Sequence, residues 1–213
     1  MIAVFYHCLI SARHRVIPED YAMEMVMSQM TAMMVSGLME AASEVNVYVN
    51  GSPSEAAVIS AVCDPKAKVL CNGVEANSEI PTMAEVHKWA VAHPKSLVLY
   101  HHTKGVSTPH QADRWRERME RYMIWNWKDC VDLLLHQGFD AVGCHWLTPE
   151  ANPGAIASPF FGGNFWWAKS DYIARLPALP TDTWENRYEA ESWIGRGTPR
   201  PKIYDPSPGW PTL

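Results

Sequence analysis

Three stretches concentrate the residues able to do chemistry. The first runs through His101, His102, Thr103, Lys104 and Gly105, directly after the apolar run 97–100. Two imidazoles, a hydroxyl and an ammonium in sequence put hydrogen-bonding and charged groups where the chain leaves the core. In open α/β sheets ligands bind just outside the carboxyl ends of the strands, so a buried strand ending in this set is the best single site wall in the chain. A strand followed by a solvated turn is the competing reading. The second stretch is Gly162, Gly163, Asn164, Phe165, Trp166 and Trp167. Its glycines permit close backbone approach, its amide both donates and accepts, and its indoles can stack on a planar or sugar ring. A core strand with a bulge at the glycines is the alternative. The third places Glu191 one helical turn beyond Arg187, among Trp184, Tyr188 and Trp193. That pair reads either as a surface ion pair or as a general base set in an aromatic site.

The elements that must position these groups alternate. Residues 2–10 read as a first strand ending near His7, followed by a polar loop with Arg13, His14 and Arg15. A Met-rich helix is expected over 21–42, strands over 44–50 and 68–71, and helices over 53–63 and 81–93. The strand at residue 97 follows. Four alternations of strand and helix predict an α/β fold with a mostly parallel central sheet flanked by helices. Strand ends then offer His7, Asn50, Asn72, His101 and His102 to one rim. Beyond Gly105 the pattern predicts a long helix over 111–137, ended by Gly138, and a strand over 139–146. A short helix follows near 171–176. The last stretch, 197–213, carries five prolines and reads as an extended tail.

Composition bounds what these elements can be. The 213 residues suit one domain, and 47% apolar with 19% charged residues allows a sizeable core. A net charge of −5 gives no general attraction to polyanions, so extended nucleic-acid binding would need a local basic patch. The five cysteines (Cys8, Cys63, Cys71, Cys130, Cys144) form no C-x-x-C pair and read as reduced core thiols, which points to the cytoplasm. The apolar start lacks a basic leader and a cleavage site, and no apolar run is long enough to span a bilayer. Neither G-x-G-x-x-G nor a Walker A sequence occurs.

Taken in order, YHHTKG, then R-W and M-x-x-Y-M in the long helix, then AVGCHW, GGNFWWAKSDYIARLP and EAESWIG carry a resemblance. Over residues 97–195 the chain resembles a family of small glycosyltransferase-like proteins of bacteria, viruses and phages, relatives of the GT-A nucleotide-sugar glycosyltransferases. The resemblance implies one GT-A-like, Rossmann-like domain over 1–196. Residues 1–105 would form the nucleotide-binding half and 106–196 the sugar and acceptor half. It implies a nucleotide-sugar donor, a UDP-sugar first, and transfer to an acceptor that is a glycan, a lipid-linked glycan, a protein or a modified phage DNA base. His7, His101, His102, Thr103 and Lys104 would then hold the donor's diphosphate. Gly163, Asn164, Trp166 and Trp167 would form the sugar wall, and Glu191 would be the base. GT-A relatives usually carry an Asp-x-Asp pair for a divalent cation, but none occurs in this chain. The expectation is therefore catalysis without a metal, with imidazole and ammonium groups taking over its electrostatic task. A non-catalytic carbohydrate- or nucleotide-binding module on the same fold is the alternative. A metal hydrolase built on His7, His101, His102 and His145 ranks last, because those histidines lack ligand spacing.

Overall fold

The computed structural model describes residues 1–12, 17–76, 78–151, 158–183 and 186–207. The loop with Arg13, His14 and Arg15, residue Trp184, the side chain of Arg187 and the end of the tail from residue 208 lie outside the described residues. In chain order the strands are β1 (Ile2–Leu9), β2 (Glu44–Asn50), β3 (Ala67–Cys71), β4 (Leu97–His102), β5 (Ala141–Gly143), β6 (Trp146–Leu147), β7 (Phe160–Phe161), β8 (Trp166–Lys169) and β9 (Ile203–Tyr204). The helices are α1 (Glu19–Val35), α2 (Leu38–Ala41), α3 (Pro53–Val62), α4 (Ile80–Ala92), α5 (Asp113–Glu120), α6 (Trp127–His136), α7 (Ser170–Ile173) and α8 (Arg187–Trp193).

Among the described residues, seven strands form one sheet in the order β3-β2-β1-β4-β8-β5-β9. β1 to β4 are mutually parallel, β8 runs antiparallel between β4 and β5, and β9 lies parallel to β5. The expected α/β class with a mostly parallel sheet and flanking helices is what the chain forms. β6 and β7 pair separately.

Strand pleating sorts the side chains into two cores. Val4, Tyr6 and Cys8 of β1 with Leu97 and Leu99 of β4 face α1, α3, α5 and α6. Ala3 and Phe5 with Val98 and Tyr100 face α4, α7 and α8. The methionines of α1 are mainly packing: Met25, Met30 and Met33 are buried in the first core.

Three elements differ from the sequence expectations, each for a local reason. The helix expected over 21–42 stops at Val35, because Gly37 takes a left-handed φ of 78° and α2 restarts beyond it. The helix expected over 111–137 divides into α5, a π-helical turn at Arg121–Trp125 and α6, with non-helical backbone at Asn126. The strand expected over 139–146 joins the main sheet only at Ala141–Gly143, since His145 at φ 58° turns the chain toward β6, where Trp146 pairs with Phe161. Ile203–Tyr204 of the tail adds an edge strand beside β5.

α8 brings Glu191 to the cleft described below, and its end is fixed by a close approach. An ideal Cβ on Gly195 would stand 1.9 Å from the backbone carbonyl oxygen of Pro159. Gly195→Ala is therefore expected to lower the unfolding free energy by about 1–3 kcal/mol. Chemical denaturation would measure it, and an unchanged midpoint would contradict this packing.

Candidate functional site

The order β3-β2-β1-β4 makes a topological switch point. From β1 the chain proceeds outward through β2 to β3, then returns to the other side of β1 as β4. The carboxyl ends of β1 and β4 therefore part around a crevice, the place where doubly wound sheets bind ligands. A cleft of about 330 Å³ lies there. β1 contributes His7 and Leu9, β2 contributes Asn50, and the turn before α4 contributes Ser78 and Glu79. Residues 102–108 form one wall, Ala112 and Trp115 extend it, and Tyr188 and Glu191 reach it from α8.

Pleating decides which histidine is present. His7 and His102 are register partners on the α4 face, whereas His101 pairs with Tyr6 on the opposite face. There its ring stacks on Tyr6 at 4.2 Å and meets Phe165 edge-on. His101 is fully buried, and neither ring nitrogen has a partner among the described residues. It does not line the cleft, so the expectation that it holds a diphosphate is corrected: adjacent strand residues point to opposite faces. The same separation takes His101 away from any joint site with His7 and His102.

The two cleft histidines are neutral. Burial lowers His7 to about 4, and its Nδ1 lies 2.8 Å from the Thr82 hydroxyl. Burial also lowers His102 to about 4, helped by the Lys104 ammonium and opposed by the Gly163 carbonyl and Glu191. The Gly163 carbonyl can only accept, so His102 Nε2 carries the hydrogen it donates across 2.8 Å. Both imidazoles offer hydrogen bonding but no positive charge at neutral pH. The cationic part of the expected role falls to Lys104.

Lys104 is held on a braced loop. Thr103 ties that loop to β1 twice: its N–H donates to the His7 carbonyl at 3.1 Å, and its hydroxyl accepts from Leu9 N–H at 2.9 Å. Gly105 has φ 84°, and a Cβ there would stand 2.6 Å from the Ala112 methyl. Arg116 Nη1 donates to the Lys104 carbonyl at 3.3 Å and to Asp113 Oδ1 at 2.9 Å. Asp113 also accepts from the Tyr21 hydroxyl, which with His110 and Arg116 draws its carboxyl down to about 2. The Lys104 ammonium sits 4.6 Å from the Trp115 ring centroid, a cation–π contact at the cleft wall.

The Gly-Gly-Asn-aromatic stretch serves the site from behind. Asn164, Trp166 and Trp167 are fully buried. Trp166 stacks on Tyr100 at 5.2 Å and donates to Asn164 Oδ1 at 2.9 Å, while Trp167 donates to the Met123 carbonyl. None of the three lines the cleft, and their hydrogen-bonding groups are already engaged. The expected sugar wall is corrected on that ground; β8 is an inner strand with both faces covered. Gly163 acts through its carbonyl on His102, and at φ 87° a Cβ there would stand 2.5 Å from Met119 Sδ. The aromatic faces at the cleft belong instead to Trp115 and Tyr188.

Glu79 is the residue the sequence reading missed. Its Oε2 accepts from the Tyr100 hydroxyl at 2.5 Å and from Asn164 Nδ2 at 2.8 Å, and its Oε1 lies 3.6 Å from His102 Nδ1. The signal available was its place just before Ile80 and Pro81, where a helix begins at the carboxyl end of a parallel sheet. Among the described residues lining the cleft, Lys104 is the one cation, and Glu79 and Glu191 are the carboxylates. No group of three or more His, Cys, Asp or Glu converges as a metal site among the described residues.

A model of the family described as "Domain of unknown function (DUF8361)" matches residues 5–200. The chain belongs to that family. The DUF8361 match contains the whole cleft lining, from His7 to Glu191. Comparison with curated proteins gives no match. Among solved structures, the chain is similar to bifunctional IspDF from Campylobacter jejuni at 8% identity and TM-score 0.48, covering 98% of this chain and 50% of that one. The chain thus spans half the length of that relative. It is also similar to CMP:2-keto-3-deoxy-manno-octonic acid synthetase complexed with CTP, at 11% identity, TM-score 0.48 and coverage of 100% and 92%. A third is 4-diphosphocytidyl-2C-methyl-D-erythritol synthase, at 18% identity, TM-score 0.39 and coverage of 96% and 87%. No helix among the described residues is long and apolar enough to cross a membrane.

The buried histidines and the crowded Gly163 turn have measurable consequences. His7, His101 and His102 fall to about 4, 3 and 4, below the ordinary 6.5. The folded state then binds fewer protons, so their contribution is complete above about pH 6.5. It is lost on acidification toward pH 4, by up to about 1.4 kcal/mol per pH unit for each ring. His101→Phe is expected to shallow that slope and to leave stability equal or higher by about 1 kcal/mol, since it removes two unpaired polar atoms. Urea midpoints at pH 7 and 5 check both; a steeper slope in the variant would contradict them. Gly163→Ala is expected to cost about 1–3 kcal/mol through strain and crowding, read by the same denaturation.

Proposed function

We propose that the cleft binds a nucleotide-sugar and that the protein is a glycosyltransferase, moving the sugar to a hydroxyl-bearing acceptor. The single observation carrying this reading is the cleft at the β1/β4 switch point, with Lys104 on its braced loop and Glu191 in the same lining. Lys104 is placed to take a diphosphate: an ammonium hydrogen bond to phosphate is charge-assisted, and the neutral His7 and His102 add polar contacts without competing for it. Trp115, beneath the ammonium, and Tyr188 supply flat faces for a base or sugar ring. Glu191 is the general base, removing the acceptor's hydroxyl proton as the oxygen attacks the anomeric carbon and the nucleoside diphosphate departs. A UDP-sugar is the first donor to test. Glycan, lipid-linked glycan, protein and modified-base acceptors remain open, while the net charge of −5 weighs against extended nucleic acid. Because the expected sugar wall is buried, a binding module without turnover is the second reading.

Thermal shift with UDP, GDP, CDP and TDP and their sugars, with manganese or with EDTA, tests the site. One nucleotide class is expected to raise the midpoint. Lys104→Ala is expected to weaken that diphosphate at least about tenfold, the loss of one charge-assisted hydrogen bond. Glu191→Gln is expected to keep donor binding and lose release of nucleoside diphosphate from the sugar donor. Binding without release in the wild type would favour the module, and no binding by any nucleotide would overturn the proposal.

A further inference from the structure

Glu79 and His102 meet on the cleft lining, each turning one polar atom toward the other. Glu79 Oε2 is filled by Tyr100 and Asn164, which fix the plane of the carboxylate. The other oxygen, Oε1, faces His102 Nδ1 at 3.6 Å. The His102 hydrogen is on Nε2, engaged with the Gly163 carbonyl, so Nδ1 presents a lone pair. Burial keeps the ring neutral at pH 7, so no second hydrogen is available there. Two acceptors therefore confront each other, with side chains only 16% and 11% exposed, on the lining of the cleft. A hydroxyl entering between them can give its one hydrogen to either acceptor or share it between the two.

We infer that Glu79 Oε1 and His102 Nδ1 form a donor-seeking subsite that binds a sugar hydroxyl of the cleft's ligand. A phosphate oxygen brings no hydrogen and is repelled by the carboxylate, so this corner takes hydroxyls while Lys104 takes phosphate. The ligand is thereby oriented end to end. The Gly163-Asn164 turn gains a role consistent with its burial: Asn164 aligns the acid and the Gly163 carbonyl sets the tautomer of His102, both acting as positioning groups. The subsite's chemistry is independent of the leaving group, but its assignment to a ribose or a transferred sugar rests on the nucleotide-sugar reading above.

Glu79→Gln is the discriminating variant. The amide oxygen can still accept from Tyr100 and Asn164, while its NH₂ donates to His102 Nδ1 and closes the slot. Affinities of UDP, 2′,3′-dideoxy-UDP and UDP-glucose, or of the corresponding set for whichever nucleotide class binds, give the readout. The wild type is expected to favour the hydroxyl-bearing member of one pair by about tenfold, the size of a hydrogen bond to a charged acceptor. UDP over its dideoxy form identifies ribose, and UDP-glucose over UDP identifies the transferred sugar. In Glu79→Gln that preference is expected to fall below about twofold with dideoxy-UDP affinity unchanged, whereas Lys104→Ala weakens all three alike. A preference that survives in Glu79→Gln would overturn the inference. Imidazole ¹⁵N spectra of the wild type, recorded with D-ribose and with D-glucose alone, separate the two claims. Movement of His102 Nδ1 by a free sugar when no nucleotide binds would keep the subsite and sink the nucleotide reading. A Nδ1 signal unmoved by every nucleotide and sugar would sink the subsite.

Discussion

The parallel pairing of β1 with β4 is the constraint on which the rest depends. Its register sets His7 beside His102 and Tyr6 beside His101, so the imidazole pair opens to the cleft and the Tyr6–His101 pair closes into the core. The same pairing lets Thr103 fasten the start of the Lys104 loop to the end of β1. A one-residue slip would exchange the faces, sending Phe5 and Tyr100 toward α1 and exposing the cleft to apolar side chains. The cores on the two faces, each built from alternate residues of these strands, resist that slip.

Electrostatics then divides the cleft. Desolvation strips the histidines of charge, leaving the Lys104 ammonium to face the Glu79 and Glu191 carboxylates among the described lining residues. A cleft so balanced does not gather anions by field alone; under the proposed reading it would favour a ligand with a phosphate at one end and hydroxyls at the other. Rigidity comes from outside the lining. Arg116 and Asp113 hold the loop through the Lys104 carbonyl, and Asn164 with Tyr100 holds the acid.

Much of this was legible in the sequence. Alternating apolar runs and turn residues gave the α/β class and the strand ends, and the change from apolar to polar at His101 falls at the end of β4, beside the cleft. The Gly-Gly-Asn-aromatic stretch differs from the cleft wall in burial. Trp166 and Trp167 lie on β8, and no residue pattern revealed that this strand inserts antiparallel between β4 and β5, covered on both faces. His101 was misplaced for a reason the sequence did contain, since a period of two cannot put both neighbours on one face. Glu79 was overlooked because its importance arises from three partners distant in sequence, Tyr100, His102 and Asn164, which only the folded sheet assembles.

The central claim, that the cleft at the β1/β4 switch point is the ligand site, is tested most directly through the indole N–H signals of the ten tryptophans. Titration of the ¹⁵N-labelled protein with UDP, CDP, GDP and TDP in turn would map the contact. One diphosphate is expected to move the Trp115 indole, which lines the cleft beneath Lys104, and to leave Trp166 and Trp167 in place. Movement of Trp166 or Trp167 with Trp115 silent, or no movement of Trp115 by any of the four, would contradict the account.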